Sequence, residues 1–557
     1  MVEVDGRAPE RLLTFGPEPS PGRGFGGGCF SWLPSSAGII HAARDGELWL
    51  IESTTLRKVT ALERTVRAPA VDETGAVVAY VVDEAEVWIT GLGTGATRRV
   101  DDGRHEFCFD PSIAPDGCTV SWIGWSPPGM PWDAAERVDA RSLTSIGAEL
   151  GVALVITSHR PSGAAVQQPR FAVDGRAVCV QDHNGWMNVQ LADRSIAEAA
   201  EHAGPTWGMG QRSYAVHADG SVVIARNERG FGSLSAVEPD GATSGVVEGF
   251  TGVYGQLSIA GDRLAALRSG PSTPPEVIVV DHLSDARYRR GRVIAESGVD
   301  AWSTIELPDP VGVTIDVDGV ALHARRYAAG DGRMLCWIHG GPTDQWQVEF
   351  RPRIAYWWSR GWDVLVVDPR GSTGHGREYQ RALNGSWGRL DVDDTAALIS
   401  AAHAEGWAAP ASTVVIGGSS GGLTVLGVLA DRAELVAGGV TSYPVSDLAA
   451  LADATHRFEA HYTETLIGPS GTVETARALR ELSPIHRAAH ISAPLLLFHG
   501  TDDPVVPIAQ SDLLVDRIRA AGGVVDYVVY DGEGHGFRDP DNVRDEYERI
   551  ERFLELI

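Results

Sequence analysis

Lysine is nearly absent: Lys58 is the single one in 557 residues, so almost all the positive charge is guanidinium. Even that is outnumbered, since 47 Lys+Arg face 74 Asp+Glu for a net charge of −27, which repels phosphate backbones and anionic headgroups. Nucleic acid and membrane surfaces are therefore not expected partners, and the surplus charge reads first as solubility. Cysteine is scarce too. The five thiols (Cys29, Cys108, Cys118, Cys179, Cys336) are odd in number, widely spaced and without a C-x-x-C pair, so neither a disulfide framework nor a zinc site is expected and a reducing compartment fits. No apolar run nears the ~20 residues of a membrane span, and the opening MVEVDGRAPERLL is acidic where a signal peptide would be basic and then apolar. The cytoplasm is the expected compartment. No metal and no organic cofactor is expected, and oligomeric state is left open, a homo-oligomer included.

What the chain does have is turns, with 65 Gly and 31 Pro, and more length than one hydrophobic core usually serves, about 250 to 300 residues. Up to about residue 290 it recurs as short alternating strands introduced by turn residues: LPSSAGIIHAA, VDETGAVVAYVV, IAPDGCTVSWIG, FAVDGRAVCVQD, VHADGSVVIARN and IAGDRLAALRS. The turn glycines Gly38, Gly75, Gly117, Gly175, Gly220 and Gly261 fall 37 to 58 residues apart, bracketing the ~40 to 50 residues of a four-stranded propeller blade. Six units are visible and a β-propeller of seven blades is expected. A pair of β-sandwiches or a solenoid is the competing reading, because strand repeats alone do not fix closure.

After the Pro-bearing segment IELPDPVG the pattern changes. Buried strands (MLCWIHG, DVLVVD, TVVIGG, PLLLFHG, VDYVVY) alternate with helical stretches such as DTAALISAAHAEG and SDLLVDRIRAAG, as βαβ units around a mostly parallel, doubly wound sheet do. The expected division is 1–300 for the propeller and 301–557 for an α/β domain whose site gathers at the carboxyl ends of its strands.

Strand TVVI runs through GGSSGG into LTVLGVLA, the strand, turn and helix that a G-x-S-x-G nucleophile elbow requires. Two frames fit, around Ser419 or Ser420; Ser419 is preferred because it leaves the Ser420 N–H directly after the nucleophile, where it can serve an oxyanion hole. A Gly/Ser loop or a phosphate cradle is the bland reading. A serine hydroxyl needs a base and an orienting acid, and both arrive in order: TDDPVVP places Asp502 and Asp503 after one strand, and DGEGHGF places His535 after the next. Asp503 and His535 complete the expected triad, with His535 neutral and accepting the serine proton, so activity should fail at acid pH. HGGP after MLCWI offers Gly341 as the second oxyanion donor, although it also reads as a tight turn.

These motifs together resemble the prolyl oligopeptidase family of serine peptidases, especially its acylaminoacyl-peptidase-like and dipeptidyl-aminopeptidase-like bacterial branch. The resemblance rests on HGGPTDQW, VVDPRGSTGHGREY, WGRLDVDD, GGSSGGL, HGTDDPVVP and GEGHGF in order, with MPWDAAE and EHAGPTW in the first half. It implies a propeller capping an α/β-hydrolase, and it supports Ser419, Asp503 and His535. One departure matters: family members acting on longer peptides often carry Arg or Asn two residues after the catalytic aspartate, where this chain has Val505. The expected substrate is therefore a small peptide or aminoacyl amide with a short acyl side, hydrolysed through an acyl-enzyme as by an aminopeptidase. A free α-amine would need a carboxylate, and Glu201 in EHAGPTW or Glu136 after MPWD are the candidates, each of which also reads as a blade-packing residue.

Three other readings stand beside this one. An acylaminoacyl-peptidase or carboxylesterase shares every catalytic part, an aminoacyl-amide hydrolase of the antibiotic-inactivating kind does too, and a propeller serving as a protein-binding platform on a degenerate hydrolase would use none of them. Trp357 and Trp358 suggest a side-chain pocket but fit a helix packed on the sheet better, and Arg370 is expected to structure a loop.

Overall fold

Each repeated turn-plus-strand unit of the first half becomes the second strand of a four-stranded antiparallel sheet in the computed structural model. These strands are Ile39–Ala42, Val77–Val82, Thr119–Trp125, Ala177–Gln181, Val222–Glu228 and Arg263–Gly270, and each sheet runs through its four strands in chain order. The structure describes residues 16–22, 27–34, 38–52, 55–146, 151, 153–192, 194–287, 289–298 and 307–557. The chain divides into two units, Met1–Gly298 and Val299–Ile557; the expected boundary at 300/301 and the opening MVEVDGRAPERLL lie outside the described residues. No helix among those described is long and apolar enough to cross a membrane.

The first unit is a β-propeller of six blades, which corrects the expected seven. Among the described residues six four-stranded sheets are formed, one per visible repeat. The widest spacing, from Gly117 to Gly175, holds the short helix Pro131–Ala134 and strands Glu136–Arg141 and Val155–His159, which pair with each other in the third blade.

Several second strands, Val77–Val82 above all, read as continuous apolar runs because both of their faces are buried. In Val77–Val82, Val77 and Ala79 pack with Val120, Trp122 and Val138 of the third blade. Val78, Tyr80 and Val82 pack with Ile40 and Leu48 of the first. Period-two alternation thus assigns one strand to two cores, and each buried valine there contributes roughly 1.5–3 kcal/mol. The first strands of four blades also carry a β-bulge at a residue of positive φ, namely Ala68, Asp110, Gln168 and Gln256.

The second unit holds one eight-stranded sheet. Its order is Val311–Val317, Val320–Tyr327, Trp362–Asp368, Arg333–Ile338, Thr413–Gly418, Gly438–Ser442, Leu495–Gly500 and Val525–Tyr530. The first two pairings are antiparallel and the rest parallel, so this is a mostly parallel sheet with α/β-hydrolase topology. Alternation again divides the interior. Met334, Cys336 and Ile338 face a core built with helices Leu390–Ala404, Ser420–Asp431 and Ala509–Ala520. Leu335 and Trp337 face one built with Pro352–Trp358 and Pro540–Leu556. Trp357 is buried in that second core, the packing role preferred for it.

Candidate active site

The carboxyl ends of the parallel strands carry the chemistry, and the elbow is the most constrained of them. Strand Thr413–Gly418 is followed at once by helix Ser420–Asp431, with only Ser419 between. Ser419 takes φ 56° and ψ −126°, a conformation costing a non-glycine residue roughly 1–3 kcal/mol and tolerated where the fold overdetermines it. The flanking glycines follow from crowding: a Cβ on Gly417 would lie 2.8 Å from the Gly421 carbonyl oxygen, and one on Gly421 would lie 2.5 Å from that of Ile338.

This geometry separates the two serines. Ser419 makes no capping hydrogen bond with its side chain, whereas Ser420 is buried in the first helical turn with its hydroxyl accepting from Trp387 Nε1 at 3.2 Å. As the first residue of the helix, Ser420 has no intrahelical acceptor for its own N–H.

Asp503 and His535 sit on the loops after strands Leu495–Gly500 and Val525–Tyr530 and meet directly, His535 Nδ1 lying 2.7 Å from Asp503 Oδ2. The other carboxylate oxygen accepts the N–H groups of Val505 and Val506 at 2.8 and 2.9 Å. Burial works to raise the Asp503 pKa, but the nearby His499 imidazole and hydrogen bonds from His535 and the Val506 amide hold it well below the usual carboxylate range. An ionised Asp503 fixes the proton on Nδ1 of His535 and leaves Nε2 as the acceptor. Asp502 is exposed and takes no part in this pair.

Tyr443 connects the elbow to this pair. Its N–H donates to the Phe498 carbonyl at 2.7 Å, its ring centroid lies 4.5 Å from that of His535, and a Cβ on Gly418 would come within 3.1 Å of the ring. Among the described residues Ser419 forms no side-chain hydrogen bond with His535; such contacts often tighten only when substrate is bound. Ser419, Val505 and Val506 nevertheless line one partly open cavity, which Gly341 and Ser420 also line. Gly340 approaches closely enough that a Cβ on it would lie 3.5 Å from that of Ser419.

The Gly341 loop is held from beneath by a buried ionic network. Arg325 forms two 2.6 Å hydrogen bonds with Asp368, and Asp368 Oδ2 also receives Gln345 Nε2 at 2.7 Å and His375 Nε2 at 2.8 Å. The network clamps Gln345, four residues beyond Gly341, to the loop that carries His375. Despite full burial, Arg325 and His375 hold Asp368 far below the usual carboxylate range. Arg325→Leu, which strands that carboxylate, should destabilise this unit by about 3–5 kcal/mol and lower its melting temperature by roughly 10 °C. A thermal scan that leaves the midpoint within 2 °C of wild type would refute the clamp. Arg370 pairs with Asp394 through Nε and Nη2, a loop-structuring contact.

Glu136 and Glu201, the candidate amine anchors, lie in the propeller, each with a partner of its own. Glu136 contacts His105 Nε2 at 2.8 Å. Buried Glu201 accepts the Met187 N–H at 2.6 Å and exchanges backbone hydrogen bonds with Asn227.

Several residues around the serine escaped sequence reasoning. Tyr443 carries the signal of an aromatic directly after a buried strand, at a φ of 42°. Trp387, Thr455, Glu459 and Tyr462 also line the cavity; Trp387 opens the segment WGRLDVDD but was given no role there, and the other three come from turns and short helices with no motif around them.

Residues 348–556 match the profile described as the prolyl oligopeptidase family. The chain is 33% identical over 227 residues to dipeptidyl peptidase family member 6 of Caenorhabditis elegans, covering 40% of this chain and 31% of that protein. It is 34% identical over 208 residues to dipeptidyl aminopeptidase BIII of Pseudoxanthomonas mexicana, covering 37% and 30%. The aligned stretch thus spans under a third of either relative. Among solved structures, a puromycin hydrolase mutant complexed with PGG superposes with a TM-score of 0.85 at 28% identity, over 96% of this chain and 87% of that one.

Proposed function

Residues 348–556 belong to the prolyl oligopeptidase family, and from that premise we propose that this protein is a serine peptidase hydrolysing aminoacyl amides and short peptides through an acyl-enzyme. The observation that carries the reading is the 2.7 Å His535–Asp503 pair beside a serine held at positive φ with its hydroxyl uncommitted.

In this reading Ser419 Oγ attacks the scissile carbonyl while His535 Nε2 takes its proton. The carbonyl oxygen, now negative, is received by the N–H groups of Ser420 and Gly341, which gain most when charge has developed. His535 then returns the proton to the departing amine. Water, deprotonated by the same imidazole, cleaves the ester and restores the serine. Asp503 stays ionised throughout and stabilises the imidazolium.

Substrate size is argued from Val505, whose apolar side chain stands where longer-peptide enzymes of the family often anchor an acyl-side carbonyl. The similarity to proteins named dipeptidyl aminopeptidase and puromycin hydrolase is consistent with an aminopeptidase. A panel of free, N-acylated and dipeptidyl chromogenic amides tests this. Free aminoacyl amides should exceed their N-acylated counterparts in kcat/KM by about tenfold or more, as loss of a charged amine contact costs. Faster turnover of blocked amides would overturn the aminopeptidase reading in favour of an acylaminoacyl-peptidase.

A further inference from the structure

The cavity beside Ser419 contains a charge that neither the triad nor the oxyanion donors use. We propose that Glu459 makes this cavity a receptor for a cationic side chain, so that preferred substrates present lysine or arginine at the residue whose carbonyl Ser419 attacks. The inference rests on the serine-hydrolase reading and adds the substrate class.

Position assigns the cavity to the acyl side. Ser419 and Gly341 both line it, whereas no residue of the loop that carries His535 does. The leaving amine must lie against His535 to be protonated, so a side chain entering this cavity belongs to the other side of the scissile bond.

The lining has two characters. Val445, Leu451, Val505 and Trp387 make apolar walls, and Glu459 and Thr455 add polar groups. Thr455 Oγ1 is buried and has no hydrogen-bond partner. The Glu459 side chain is only 18% exposed, and among the described residues its polar side-chain neighbour is the His456 imidazole, whose Nε2 lies 3.4 Å from Oε1. Oε2 remains to accept a hydrogen bond. A carboxylate largely shielded from water favours a neighbour that is a cation or brings several donors. Lysine and arginine supply both needs, with an apolar stem for the walls and a donor-rich, positive head for Glu459 and Thr455. A purely aliphatic or aromatic side chain would fill the walls but leave the carboxylate unsatisfied, and the penalty for such a mismatch exceeds that for a missing methylene.

The test uses pairs matched in shape and different in charge: arginine against citrulline, and lysine against norleucine, as aminoacyl nitroanilides and as aminoalkyl diphenyl phosphonates. The phosphonates label the serine without needing amide turnover. Wild-type enzyme should favour the cationic member of each pair by about tenfold or more in kcat/KM and in labelling rate. Glu459→Gln should collapse that ratio towards one, and Glu459→Arg should invert it. A ratio near one in the wild type, or a ratio unmoved by Glu459→Gln, overturns the pocket assignment while leaving the hydrolase reading intact. Absence of both turnover and Ser419 labelling overturns the hydrolase reading and the pocket assignment with it.

Discussion

Ser419→Ala is expected to lower kcat on every amide substrate by about 10⁵- to 10⁶-fold, the scale seen when a triad nucleophile is lost. The expectation is local in origin. The alanine keeps the Cβ and the same positive φ, so the elbow and its crowded glycines keep their geometry, and only the attacking oxygen is gone. Residual hydrolysis would come from water polarised by the Ser420 and Gly341 N–H groups. A fluorophosphonate reagent should label wild type at Ser419 and leave the variant unlabelled, as read by mass spectrometry of the active-site peptide. Label on Ser420, or turnover within tenfold of wild type, would transfer the nucleophile. Ser420, buried with its hydroxyl on Trp387 Nε1, is poorly placed to take the part.

Asp503→Asn should cost about 10⁴-fold in kcat with little change in KM. The two N–H groups of Val505 and Val506 both point at Oδ1, so an asparagine must present its carbonyl oxygen to them. Its amide nitrogen then faces His535, donates to Nδ1 and drives the imidazole proton onto Nε2, where the base is needed. The pH dependence follows in sign. Asp503 is held below the usual carboxylate range in the folded protein, so its stabilising contribution is complete above the unfolded value of ~3.9 and is lost only as pH falls further through the folded value. Failure of the wild-type rate in mildly acid solution must therefore come from a group other than this carboxylate. Single-turnover kinetics on the variant decide the matter, and a decrease smaller than tenfold would remove Asp503 from the triad.

Much of this was legible before any coordinates. The six second strands of the blades were readable because each combines a glycine turn with a short run rich in buried apolar residues. The three loops after strands Thr413–Gly418, Leu495–Gly500 and Val525–Tyr530 were readable because their glycine and proline punctuation is local. The blade number was not, since a 58-residue spacing is equally consistent with a long connection or an extra sheet. Strand Gly438–Ser442 escaped because it opens on two glycines. A Cβ on Gly439 would come within 2.7 Å of Leu429, so tight helix packing removed the apolar side chains by which strands are recognised. Glu459 escaped for a different reason: its significance lies in what surrounds it, and its neighbours Trp387, Val445 and Val505 come from three distant stretches of chain.

The sharing of one strand between two interiors, as in Val77–Val82, bears on how the propeller can come apart. In an open array, a terminal repeat can fray while its neighbours persist. Here, stripping out the second blade would bare apolar surface on the first and the third together, so partial unravelling is penalised on both flanks. The unit should accordingly melt as a single cooperative block, and durable insertions belong at the exposed blade turns, where no interior is divided.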